Sequence, residues 1–219
     1  MKSNETLQRD VQESIKWEPL LHASQIGVIA KNGIVTLTGT VDSYAKKMEA
    51  ETATKKVAGV KAIVEKIEID YGHFGKITDD KIAEDILKEF NSNLTVPSNS
   101  IKVTVENGWV TLEGNVNWNY QREATKNSVT NLMGVRGISN NIKINPEIKE
   151  KVEKRAIEKA FQRNWAINYD EIDVDVYDNN VRLTGNVDSY YQKDEAERIA
   201  WNAPGVWSVN NDLEVGYYE

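Results

Sequence analysis

Cysteine is absent from the 219 residues. That removes disulfides, thiolate zinc sites, iron–sulfur clusters and cysteine nucleophiles. Histidine is scarce: His22 falls in a loop and His73 in a joint, with no second histidine or serine signature at useful spacing. No general base, metal set or cofactor site is therefore expected. Long apolar runs are missing too. Stretches such as Val28–Ala30 and Leu94–Val96 fall far below the roughly 18 residues that cross a bilayer, so no transmembrane helix is expected. Glu5, Arg9, Asp10 and Glu13 occupy the region where an export signal needs unbroken apolar sequence. The expected compartment is the cytoplasm, or the periplasm if a leader has been trimmed.

An excess of positive charge is also lacking. The formal net charge is −7, and it is unevenly placed. Residues 1–72 hold 10 basic and 10 acidic residues, 73–146 hold 8 and 8, and 147–219 hold 9 and 16. Such a chain is poorly suited to displacing counterions from nucleic acid, so no nucleic-acid partner is expected. Broad attraction to an anionic membrane is disfavoured by the same distribution, and any lipid contact has to be local. With 40% hydrophobic and 28% charged residues, the chain nevertheless has the composition of a folded, water-soluble protein.

What is present is a repeat. NGIVTLTGTVDSY from Asn32, NGWVTLEGNVNWN from Asn107 and DNNVRLTGNVDSY from Asp178 align. The same offsets, 75 and 71 residues, relate Gly39, Gly114 and Gly185, then Gly59, Gly134 and Gly205, and then Ile26, Ile101 and Ile172. Repeats of this kind imply one supersecondary unit used three times, with boundaries at 1–72, 73–146 and 147–219. The joints, YGHFG at Tyr71–Gly75 and Asn145–Pro146, are too short for freely moving domains. Units of about 70 residues have marginal cores, so the copies are expected to support one another by packing.

Periodicity changes in a fixed order within each unit. Leu7, Val11 and Ile15, then Ile82, Ile86 and Phe90, then Ile148, Val152, Ala156 and Ala160 recur every fourth residue, as on an amphipathic helix. Thr78 followed by Asp79 and Asp80 suits an N-cap and an acidic first turn. Alternation by twos follows at Ile26, Val28 and Ala30 and at the matching positions of the other units. Asn32-Gly33 and Asn107-Gly108 predict type I′ hairpins, and Asn179-Asn180 takes that place in the third unit. Gly39, Gly114 and Gly185 fall in phase with inward-facing valines and leucines, which predicts a helix backbone passing close to the sheet there. Asp42, Asn117 and Asp188 are expected to cap a second helix lined by small residues such as Ala50 and Ala53, before a last strand. The outer sheet face carries Thr36, Thr38 and Thr40, so both helices should cover the other face. The predicted fold class is α+β: three tandem α-β-β-α-β repeats, each a two-layer sandwich with two helices on one face of a three-stranded mixed sheet.

The V-T-L-x-G strand, the later Gly-Val step followed by alternating aliphatics, and the α-β-β-α-β order together resemble the BON domain family (bacterial OsmY and nodulation). The second unit, KVTVENGWVTLEGNVNWNYQREATKNSVTNLMGVRGISNNI, looks like the middle module of three-BON proteins without a leader. The resemblance covers nearly the whole chain and implies binding rather than catalysis. It points to a phospholipid or membrane surface, or envelope-linked partners, in protection against osmotic stress, and implies no catalytic residues and no cofactor. A soluble protein–protein interaction scaffold is the alternative.

Two residue groups stand out as possible sites. Asp170, Glu171, Asp173, Asp175 and Asp178 alternate with Ile172, Val174 and Val176, without the glycine and distal glutamate of a calcium loop, so a solvated strand face is expected. Among the aromatics, Trp109 lies in phase with Thr111 and Glu113 on the polar side of its strand, and Trp118 and Tyr120 open the following helix. These three residues are the candidate contacts for a partner or lipid interface, since tryptophan suits a boundary between wet and apolar surroundings. Packing between repeats is the competing reading. Tyr44, Tyr190 and Tyr191 occupy the same region in the other units, and Trp17, Trp165, Trp201 and Trp207 are expected in cores or joints.

Overall fold

The computed structural model describes residues 2–72, 77–145 and 151–216. His73, Ile148 and parts of both joints lie outside them. The first repeat comprises α1 (Asn4–Lys16), β1 (Ile26–Lys31), β2 (Ile34–Val41), α2 (Tyr44–Lys55) and β3 (Ala62–Ile69). The second comprises α3 (Asp79–Ser92), β4 (Ile101–Glu106), β5 (Trp109–Val116), α4 (Asn119–Thr130) and β6 (Gly137–Ile144). The third comprises α5 (Lys154–Gln162), β7 (Ile172–Tyr177), β8 (Asn180–Val187), α6 (Tyr190–Trp201), β9 (Ser208–Asn211) and β10 (Glu214–Val215). Each repeat is α-β-β-α-β. In the second, β5 is central, antiparallel to β4 and parallel to β6. In the third, the last strand is broken into β9 and β10, both parallel to β8.

Alternation places the core. Val110, Leu112 and Val116 of β5 are buried, while Trp109, Thr111 and Glu113 point to the opposite side, as the period of two requires. In the third repeat one cluster joins Ile157 and Phe161 of α5, Leu183 of β8 and Ala196 and Ala200 of α6, so both helices cover the same sheet face. The buried stripe of α5 differs from the expected one. Ile157 and Phe161 face inward, whereas Ala156 and Ala160 stand one position out of phase. Two large side chains fill the space over the sheet that alanines cannot fill.

The first helices begin as their sequences suggest, with Ser3 and Thr78 accepting from the backbone N–H of Thr6 and Lys81. The second helices begin one residue later than expected. Ser43 and Ser189 accept from Lys46 N–H and Gln192 N–H, and Asp42 instead pairs with Lys46 at 2.6 Å. In α4 the cap is Trp118, which has no acceptor. Gln121 Oε1 compensates by accepting from the backbone N–H of Asn117 and Trp118 at 3.0 and 3.1 Å.

Asn32 and Asn107 have φ of 53° and 51°, and Gly33 and Gly108 have 81° and 79°, as type I′ turns require. The third turn lies one residue earlier than expected, at Asp178-Asn179, and only Asp178 has positive φ, at 51°. Asn179 stays out of that region and donates its amide to the Gly205 carbonyl at 2.6 Å.

The core-facing glycines meet a different neighbour from the one expected. A Cβ on Gly39, Gly114 or Gly185 would lie 2.0, 2.0 or 2.1 Å from the carbonyl oxygen of Gln25, Ser100 or Glu171. Each carbonyl ends the short 3₁₀ turn leading into the neighbouring strand; no α-helix crosses there. With φ between 117° and 145°, the position excludes a side chain on conformational grounds as well.

By packing, the chain divides into two compact units. One holds Met1–Gly39, Glu49–Ile67 and Ile148–Glu219, and the other Thr40–Met48 and Glu68–Glu147. Gly114→Ala is expected to lower stability by at least about 2 kcal/mol. Gly216→Ala, where an added Cβ would keep 3.7 Å from its nearest neighbour, should be tolerated. Chemical denaturation of the two variants checks this pair.

Candidate functional site

The three aromatic candidates are exposed but do not form one patch. Trp109 opens β5, and Trp118 follows its last residue, Val116, by two positions. Eight residues at the rise of an extended chain separate them by roughly 23 Å. Trp109 is 52% exposed because one ring face lies on Gly137, where an added Cβ would come within 2.3 Å of the indole. Its Nε1 donates to Ser139 Oγ at 2.9 Å. This ring covers a strand glycine. Trp118 and Tyr120, 36% and 54% exposed, flank the start of α4 and are the pair the fold brings together.

The related tyrosines are joint residues. In the second compact unit, Tyr44 is buried in one cluster with Ile82, Ile86 and Val135 of the second repeat. In the first, the Tyr190 hydroxyl, at the corresponding start of α6, donates to the Lys61 carbonyl of the first repeat. Packing between repeats therefore holds for these two. Beside Tyr190, Lys55 reaches Asp194 at 3.0 Å and Glu51 at 3.3 Å. Burial alone would lower the Lys55 pKa, but the two carboxylates outweigh it and the value is raised. Tyr71 donates its hydroxyl to the Val135 carbonyl, and burial raises its pKa.

Carboxylates in the first unit shift in both directions. The hydrogen bond from Lys56, at 2.7 Å, holds Glu18 below the ordinary glutamate value, against the effect of burial. Glu49, beside Glu18, is raised by burial and then by that neighbouring charge. Glu195 is lowered by Arg198, which it meets at 2.6 Å, and by Asn164. None of these groups lines a reaction cleft. They are structural ion pairs of the kind that perturb pKa values away from active sites.

The largest exposed apolar side chains lie elsewhere. Trp17 and Trp165, expected in cores or joints, are 81% and 94% exposed. They lie in the loop joining the first helix to the first strand of their repeats, as do exposed Leu20 and Leu94. Leu94 and Trp165 are the same position, 71 residues apart. That alignment was the available signal; single-repeat periodicity ends with the helix and could not reveal it. Trp207 is 44% exposed, and Trp201 packs on the third core. Asp173 and Asp175 are exposed, and among the described residues no group of three metal-ligating side chains stands close enough to hold an ion.

Three matches to the BON domain cover residues 3–71, 78–146 and 150–217. The osmotically-inducible protein Y of Escherichia coli (strain K12) is 27% identical over 127 residues, 56% of this chain and 63% of that protein's own length. CdsD, a structural protein of the type III secretion system of Chlamydia trachomatis, aligns with 94% of the chain at 15% identity. Its C-terminal domain aligns with 99% of the chain, also at 15% identity. Both TM-scores are 0.27, too low for any argument from shape.

Two outcomes test the joint and its ion pairs. Tyr190→Phe removes one hydrogen bond and should cost about 1 kcal/mol in thermal denaturation. Glu18 and Glu195, with lowered pKa values, contribute stability that is present above the ordinary value of 4.5 and lost as pH falls through the lower folded values. Glu195→Gln should therefore flatten the loss of stability measured below about pH 4.5.

Proposed function

Because the chain belongs to the BON domain family, we propose that it is a non-enzymatic attachment protein whose three modules contact phospholipid surfaces during osmotic stress. The observation that carries this reading is the exposure of Trp17, Leu20, Leu94 and Trp165 at the helix-to-strand loop of each repeat. Isolated apolar residues on a surface are ordinary. The same loop carrying its largest apolar side chain into water in all three repeats calls for a partner with an apolar, wettable boundary. Trp118 and Tyr120 supply a further contact of that kind, while Trp109 contributes only its uncovered edge. The osmotic element comes from the family and from the name of the Escherichia coli relative, of whose length the chain spans less than two thirds. The compartment proposed is the cytoplasm. Among the described residues no helix is long and apolar enough to cross a membrane, so attachment is by surface contact.

The negative charge of the third repeat disfavours electrostatic recruitment, so binding should depend weakly on salt and on anionic lipid. A second reading, a protein–protein scaffold, is supported by Tyr190, which shows repeat surfaces of this chain recognising each other through an aromatic residue. Co-sedimentation with zwitterionic and anionic vesicles separates the two. The full chain is expected to partition onto both. Trp17→Ser with Trp165→Ser should weaken partition on the order of tenfold, from the transfer value of a large apolar side chain, and Trp118→Ala should weaken it less. No association with either vesicle at low salt would remove the lipid reading and leave the scaffold.

A further inference from the structure

The displaced phase of α5 has a consequence beyond packing. Ala156 and Ala160, left outside the core, line one wall of a groove of about 580 Å³, and Ile199, Ala203 and Pro204 at the end of α6 line the other. The space is within the range of small-molecule sites. It is peculiar to the third repeat. At the positions of Ala156 and Ala160 the second repeat has Asp85 and Glu89, and the first has Asp10 and Ser14.

The charge at the rim runs against that of its surroundings. The third repeat holds 16 acidic and 9 basic residues, yet the groove lining includes no acid and a single cation, Arg163. Among the described residues neither the Arg163 guanidinium nor the Asn202 amide has a hydrogen-bond or ion partner. Both helices end here, and their carbonyl ends would oppose an anion. The following turns blunt that effect: Asn164 N–H donates to the Phe161 carbonyl at 2.9 Å and Asn202 N–H to the Ile199 carbonyl at 3.1 Å. Trp165, almost wholly in water, adjoins the same groove.

We propose that this groove binds one single-chain aliphatic carboxylate, its tail along Ala156, Ala160 and Ile199 and its head on Arg163 and Asn202, with Trp165 folding over the chain. This site does not depend on the surface contact proposed above, although Trp165 serves both. Isothermal titration of the full chain with dodecanoate below its micellar concentration tests it, with dodecyltrimethylammonium as the cationic counterpart. Saturable one-to-one binding of dodecanoate, weaker binding of the cation and a blue shift of tryptophan emission that is absent in Trp165→Phe are expected. Ala160→Glu, which installs the second repeat's residue, should abolish binding. Arg163→Gln should weaken it about tenfold, as for loss of a charge-assisted bond, and keeps the test alive should the first variant misfold. No saturable binding, equal binding of the cation, or binding indifferent to both substitutions would overturn the proposal. So would concentration-dependent dimerisation in sedimentation that Ala160→Glu abolishes, since a second copy would then be the occupant. A chain that binds vesicles but not dodecanoate loses this site alone; one that binds dodecanoate but not vesicles loses only the surface reading.

Discussion

One close approach governs each repeat. The carbonyl of Gln25, Ser100 or Glu171 sits where the side chain of Gly39, Gly114 or Gly185 would be. The contact ties the turn that follows the first helix to the central strand, and it coincides with the first antiparallel pair in each sheet, Ile26 with Gly39, Ile101 with Gly114 and Ile172 with Gly185. A side chain at that point would push the entering strand off its register, and a slip of one residue would turn every inward valine and leucine toward water. The helix-to-strand loop is therefore anchored at its end, and its tip is left to carry exposed side chains.

Anchoring and exposure together suit the chain to attachment. A loop whose exit is fixed by a rigid sheet can present Trp17, Leu94 or Trp165 without ordering much backbone on contact, which lowers the entropic cost of binding. The ion pairs and tyrosine bonds at Lys55, Lys61 and Tyr190 hold the first and third repeats in one compact unit. The same helix-start position that forms these joints is Asn119 in the second repeat, between the exposed Trp118 and Tyr120. One position thus serves cohesion in some repeats and surface display in another.

Much of this was legible in residue spacing. Alternation located the strands and their inward faces, Asn-Gly located two hairpins, and the constant offsets revealed three copies, because each depends on chemistry within a few residues. What escaped depends on contacts across the fold. The neighbour of Gly114 is a carbonyl 14 residues earlier in sequence, which no local pattern encodes. The phase of α5 is decided by Phe161 and Ile157 filling the core better than the alanines beside them. Trp109 and Trp118 read as neighbours in sequence, whereas an extended strand holds them apart. Trp17 and Trp165 read as core because tryptophan so often is; only the loop geometry puts them in water.

The account rests on rigid sheets presenting apolar loop tips to a partner surface. Hydrogen–deuterium exchange of the full chain, with and without phosphatidylcholine and phosphatidylglycerol vesicles, measures this most directly. Added protection confined to the loops that follow α1, α3 and α5, with the sheets unchanged, is the result the account predicts. Protection spread along the outer sheet faces, or vesicle-induced loss of protection in the cores, would contradict it.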